Sequence, residues 1–124
     1  MTIEYKYDKD KDALYASIEG AFNLDEFKVT IVKIVNSNEY PPDIRTLWDM
    51  RRTDFTGISY DLEKSAIYIR EQYPKRAGAR LSFVAESDLA YGMLRMYETL
   101  SDDLPQEIKV FRKFSEAEEW LLKC

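Results

Sequence analysis

Chemistry in this chain has to come from hydroxyl, carboxyl, phenol and guanidinium groups, because its 124 residues include no histidine and a single cysteine, Cys124. That inventory excludes disulfides, imidazole bases, Cys–His nucleophiles and nearly every transition-metal site. No cofactor and no metal are expected, and no enzyme activity. Two places could still bind something. The first is Asp54-Phe55-Thr56-Gly57, a run of turn formers just ahead of a helical pattern, with Arg51 and Arg52 close by in sequence. Paired guanidinium groups hold anions through charge-assisted hydrogen bonds. Arg51, Arg52 and Ser59 are therefore candidates for binding an anion or a partner. An ordinary turn closed by a hydroxyl–backbone bond explains the same residues. The second place is Glu86-Ser87-Asp88, between the end of one strand and the start of a helix. Ligands of open α/β sheets gather at such points. Ser87, with Tyr91, Gly92, Met93 and Met96 further along the helix, is a candidate for lining a pocket. Gly92 inside a helix costs about 1 kcal/mol relative to alanine, so a close contact is expected in front of it. Helix-on-sheet packing accounts for these residues equally well.

Other charged groups carry less. Asp8-Lys9-Asp10-Lys11-Asp12 lacks the glycine and the bidentate glutamate of a calcium loop and reads as an exposed connection. With four glycines in all, a phosphate-cradling glycine loop is absent. The net charge is −5, which argues against nucleic-acid binding. The charge is uneven, however. Residues 45–80 hold 8 Lys/Arg against 5 Asp/Glu, a balance of +3 that leaves −8 on the rest. A locally basic middle suits an anionic group or an acidic patch on a partner, and it equally suits solvated helix faces.

These groups need elements to hold them. Ile3, Tyr5 and Tyr7 alternate with polar residues, as do Ala13 to Ile18, so the chain opens with a hairpin of two strands. Leu24, Phe27, Ile31, Ile34 and Val35 switch to helical spacing, with Asn23 or Asp25 as cap, and the helix must end before Pro41-Pro42. Ile44–Met50 reads as a strand. A second helix is expected from about Ser59 to Tyr73, ended by Pro74, and a strand over Ala79–Ala85. A third helix begins at Ser87-Asp88. Ile108–Val110 with Phe111 makes a last short strand, and Ser115 caps a terminal helix anchored by Trp120. The order is β-β-α-β-α-β-α-β-α. It predicts one α/β domain over residues 1–124, with a mixed, mostly parallel five-stranded sheet, about four helices, and strand one antiparallel at an edge. No apolar run reaches the ~20 residues of a membrane helix and no leader opens the chain, so a soluble, cytoplasmic protein is expected.

Phe83 to Tyr97 (F-V-A-E-S-D-L-A-Y-G-M-L-R-M-Y), Val110 to Arg112 and Glu116 to Leu121 (E-A-E-E-W-L) resemble the SpoIIAA-like family of small STAS/SEC14-like proteins. Trp48-Asp49 at a strand end fits the same pattern, and the likeness spans nearly the whole chain. The resemblance implies an α/β sheet with helices packed on it. In the anti-sigma-factor antagonists that give the family its name, a phosphorylated serine precedes a glycine in a D-S-S-G turn. Thr56 would take that position here, although Phe55 separates it from Asp54 and threonine replaces serine. The resemblance implies one of two functions. One is a non-enzymatic STAS-like interaction or regulatory domain, switched at the Thr53–Tyr60 loop and binding a protein partner. The alternative is a carrier or sensor of an apolar or anionic small molecule in a SEC14-like pocket. A homodimer is compatible with either.

Overall fold

The hairpin forms where alternation and a turn coincide. In the computed structural model, which describes residues 1–58, 78–100 and 106–123, β1 (Thr2–Asp8) runs antiparallel to β2 (Ala13–Ala21) in a register from Thr2 opposite Glu19 to Asp8 opposite Ala13. Asp12 takes a left-handed φ of 51° in the connection, a conformation aspartate tolerates better than most residues. Its carboxylate accepts the Tyr7 hydroxyl at 2.7 Å. Helix α1 (Leu24–Val35) follows, with the Asn23 side chain accepting the Glu26 amide and Phe27, Ile31 and Ile34 buried, as the spacing predicts.

Strand β3 (Thr46–Asp54) runs four residues beyond the expected end at Met50. Its extension pairs with the long carboxyl end of β2, and the Thr53 hydroxyl donates to the Ile18 carbonyl at 2.7 Å. The remaining elements are β4 (Arg80–Val84), α2 (Asp88–Leu100), β5 (Glu107–Phe111) and α3 (Phe114–Leu122). The expected helix over Ser59–Tyr73 lies outside the described residues, so three helices stand among the described residues where about four were expected. None of them is long and apolar enough to cross a membrane. The terminal helix starts one residue before Ser115, and Lys113 at its N-cap gives no side-chain bond. An early start lets Phe114 stack near Tyr15 (centroids 6.3 Å apart).

The sheet order is β1-β2-β3-β4-β5, with β1 antiparallel and every later pair parallel. Right-handed connections between sequential parallel strands put their helices on one face. That face buries Leu14, Ala16, Ile18, Leu81, Phe83 and Val110 of the strands against α1 and α2, around Trp48, which is 1% exposed and whose ring centroid lies 5.2 Å from that of Phe27. Among the described residues, the second face receives only α3, which buries Ala117 and Leu121 on Ala13, Leu47 and Val84. Trp120, expected as the anchor, is half-buried against Phe111 and the Arg80 guanidinium.

Candidate functional site

The second face is incompletely covered, and that exposes the site. Along β2 the side chains on this face run Ala13, Tyr15, Ser17, Glu19, and their burial falls from complete to exposed. Helix α3 reaches this end only with its first residue, Phe114, whose ring lies under the Arg51 guanidinium; on β2 and β3 the face continues with Ser17, Glu19, Asp49 and Arg51. These residues, with Glu4 from β1, Arg52, and Glu86 just beyond β4, line a hollow of about 400 Å³. It lies toward the carboxyl ends of parallel strands, where sites of open α/β sheets form.

A break in strand register shapes the hollow. Ser17 pairs with Asp49, but Glu19 pairs with Arg52, so β3 carries one extra residue. Such a bulge bends the strand and re-aims its side chains. Arg51 and Arg52, adjacent in sequence, therefore both line the hollow. Arg51 is already engaged. Its Nε and one terminal nitrogen donate to the two Asp49 carboxylate oxygens at 2.8 and 2.7 Å, and its guanidinium lies 5.3 Å from the Phe114 ring. Burial opposes ionisation of Asp49, but the Arg51 side-chain and backbone hydrogen bonds and the charges of Arg51 and Arg52 outweigh it, holding the carboxyl below its usual range. The Arg52 side chain makes no hydrogen bond to another described residue, while its backbone is paired in the strand opposite Glu19.

The basic middle of the sequence disperses accordingly. Arg45 donates to the carbonyls of Lys11 and Asp12, Arg51 to Asp49, and Arg80 to the Lys123 carbonyl. Lys64, Arg70, Lys75 and Arg76 lie outside the described residues, as does Ser59. Around the hollow, four carboxylates (Glu4, Glu19, Asp49, Glu86) face two guanidinium groups, so the local balance is acidic. Among the described residues, no group of three or more acidic or sulfur side chains is close enough to hold a metal ion.

Thr56 is exposed in a turn where Gly57 has φ of 85°. The Asp54 carboxylate accepts its amide at 2.8 Å, and the nearby Thr56 side chain together with that amide holds the Asp54 carboxyl below its usual range. A phosphate on Thr56 would meet the Asp54 charge. The expected pocket residues do not converge. Ser87 caps α2 by accepting the Ala90 amide at 3.1 Å. Tyr91 lies under the Arg112 guanidinium at 4.3 Å, Met93 packs against the core, and Met96 is 42% exposed. Gly92 overturns its expectation of a close contact, because a Cβ there would meet nothing within 4 Å. Sequence reasoning found Arg51 and Arg52, and it singled out Glu86 but as part of a different pocket with Ser87; it missed Glu4, Ser17 and Glu19. The available signal was the persistence of polar residues at alternate positions into the end of β2.

A crystal structure of an uncharacterised DUF3478-family protein from Shewanella loihica PV-4, with a SpoIIAA-like fold, matches this chain with a TM-score of 0.63 over 97% of this chain and 92% of that one. The protein has a SpoIIAA-like fold. Sequence identity across the match is 19%, so the likeness concerns the fold alone. No protein-family model matches the chain, and a search of curated proteins gives no significant match. Within the SpoIIAA-like fold, the layout described above places the hollow on the face opposite α1 and α2.

Proposed function

We propose that the protein is a non-enzymatic, STAS-like interaction domain that receives a protein partner on the hollow. The observation that carries this reading is the uncovered end of the sheet's second face, lined by four carboxylates and two guanidinium groups. Its acidic balance fits a partner segment presenting lysine or arginine, which could pair with Glu19 and Glu86 while Arg51 holds Asp49 in place. The carrier alternative needs apolar space between helices and sheet, a region where Trp48, Phe27 and Phe83 pack together with other buried side chains.

The test compares proteins retained from a lysate by three immobilised forms: the wild type, a Glu19→Lys/Glu86→Lys double variant, and a Lys33→Glu control on α1. A set retained by the wild type and control but lost with the double variant is expected. Identical sets from all three would overturn the hollow as the binding surface. A small molecule carried through native mass spectrometry would favour the carrier.

A further inference from the structure

Strand β1 ends the sheet, so one of its edges has no strand beside it among the described residues. Its middle residues Glu4, Tyr5 and Lys6 are exposed, and neither Glu4 nor Lys6 makes an ion pair with another described residue. An open edge is a template for another strand, and a lysine on it ordinarily discourages pairing. Here the spacing of charges reverses that effect for one partner. The sequence Thr2-Ile3-Glu4-Tyr5-Lys6-Tyr7-Asp8 is self-complementary about Tyr5. An antiparallel copy related by a two-fold axis through Tyr5 sets Glu4 opposite Lys6 of the second copy, and Lys6 opposite its Glu4. Ile3 then faces Tyr7 of the second copy, and the two Tyr5 residues face each other.

We propose that β1 is a homodimer interface in which two copies join edge to edge in this register, forming one ten-stranded sheet. The register is selected by charge. Sliding the second copy by two residues in either direction sets Glu4 against Glu4 or Lys6 against Lys6, and like charges directly opposite are unfavourable. Slips that change the parity are excluded, because opposite residues must share a face of the sheet. The apolar side chains agree with the charges. Tyr5 is 38% exposed, and Val29 of α1, 54% exposed, lines with Ile3, Met1 and the charged Asp25, Glu26 and Lys33 a second hollow of about 350 Å³ beside β1. A second copy paired along β1 would bring its own α1 alongside this exposed strip. Pairing would also set Lys6 of the second copy beside Glu4, at the rim of the acidic hollow. The dimer is inferred from β1 alone and stands whether or not the hollow binds a protein.

Charge reversal with rescue tests the register. In sedimentation velocity over a concentration series, the wild type is expected to dimerise. Glu4→Lys and Lys6→Glu should each weaken the dimer by about tenfold or more, because each replaces two attractive cross-strand pairs by two repulsive ones. The Glu4→Lys/Lys6→Glu double variant restores opposite charges across the axis and should recover dimerisation to within about threefold. A wild type that stays monomeric throughout the series would overturn the proposal. So would single variants that dimerise like the wild type, or a double variant as weak as the singles. Amide hydrogen exchange of the wild type provides a second reading that does not depend on any variant folding. Exchange at the outward amides of β1 should slow as concentration rises. Exchange independent of concentration would also overturn the interface.

Discussion

Ser82 sits in β4 between Leu81 and Phe83, fully buried, with no hydrogen-bond partner for its hydroxyl among the described residues. An unpaired buried polar group carries its desolvation cost without return, typically about 1–3 kcal/mol. Removing the oxygen leaves a small space while eliminating that cost, so Ser82→Ala should raise stability by about 1 kcal/mol. The check is a urea unfolding curve whose midpoint rises with unchanged slope; a loss of stability would mean that the hydroxyl is satisfied. Gly92 makes the complementary case. Nothing stands within 4 Å of where its Cβ would be, and it lies inside α2. Gly92→Ala should therefore stabilise by about 0.5–1 kcal/mol through helix propensity alone. A destabilised variant would restore the close contact expected from sequence. The sequence supports the cost of a helical glycine but contains nothing about the space in front of it, which depends on how α2 is rotated on the sheet.

Helix α3 illustrates the same limit for a whole element. Its apolar residues were identifiable by spacing, but which of them anchors it depends on the surface it meets. Leu121 and Ala117 are fully buried on the second face, whereas the Trp120 ring lies under Arg80 at 4.2 Å with part of its surface in water. Leu121→Ala should cost about 2–5 kcal/mol, and Trp120→Ala less, roughly 1–2 kcal/mol, because less of its surface is removed from water. Thermal melts of the two variants decide the order, and a larger loss for Trp120→Ala would reverse the assignment. Strands and helices were legible wherever alternation or helical spacing ran unbroken, as in β1, β2 and α1, and prolines marked where α1 had to end. The carboxyl end of β3 was not legible. Arg51-Arg52 breaks the alternation that would announce a strand, and the extra residue causing the break is a bulge defined only by pairing with β2. The candidate site was half legible for the same reason: its arginines stand out in sequence, whereas its acids come from β1, β2 and the end of β4 and meet only in the folded sheet.

At the scale of the whole molecule, the sequential strand order gives one sheet face α1 and α2, and leaves α3 to serve the other. The less covered face is consequently stabilised in part by charge. Tyr15 and Lys11 both donate to Glu118, at 2.7 and 3.1 Å, tying α3 to the start of β2, while Arg51 grips Asp49 beyond the helix. The Tyr15 hydrogen bond, with lesser help from Lys11, holds the Glu118 carboxyl below its usual range against the effect of burial; Asp49 is lowered by Arg51 and Arg52 despite burial. A carboxyl whose folded value lies below its unfolded value contributes stability that is fully present above the unfolded value, about 3.9 for aspartate and 4.3 for glutamate, and is lost as pH falls through the folded value. Stability from these groups should therefore be constant with pH above about 5 and decline progressively below about 4. Asp49→Asn removes one of the titrating groups and leaves Arg51 without its ionised partner. The variant should be less stable than the wild type at pH 7, and its stability should fall less steeply between about pH 4 and 2. Urea unfolding across that range measures both effects. Equal acid slopes for wild type and variant would mean that Asp49 titrates alike in the folded and unfolded chains, and that its grip on Arg51 contributes nothing to holding the uncovered end of the sheet.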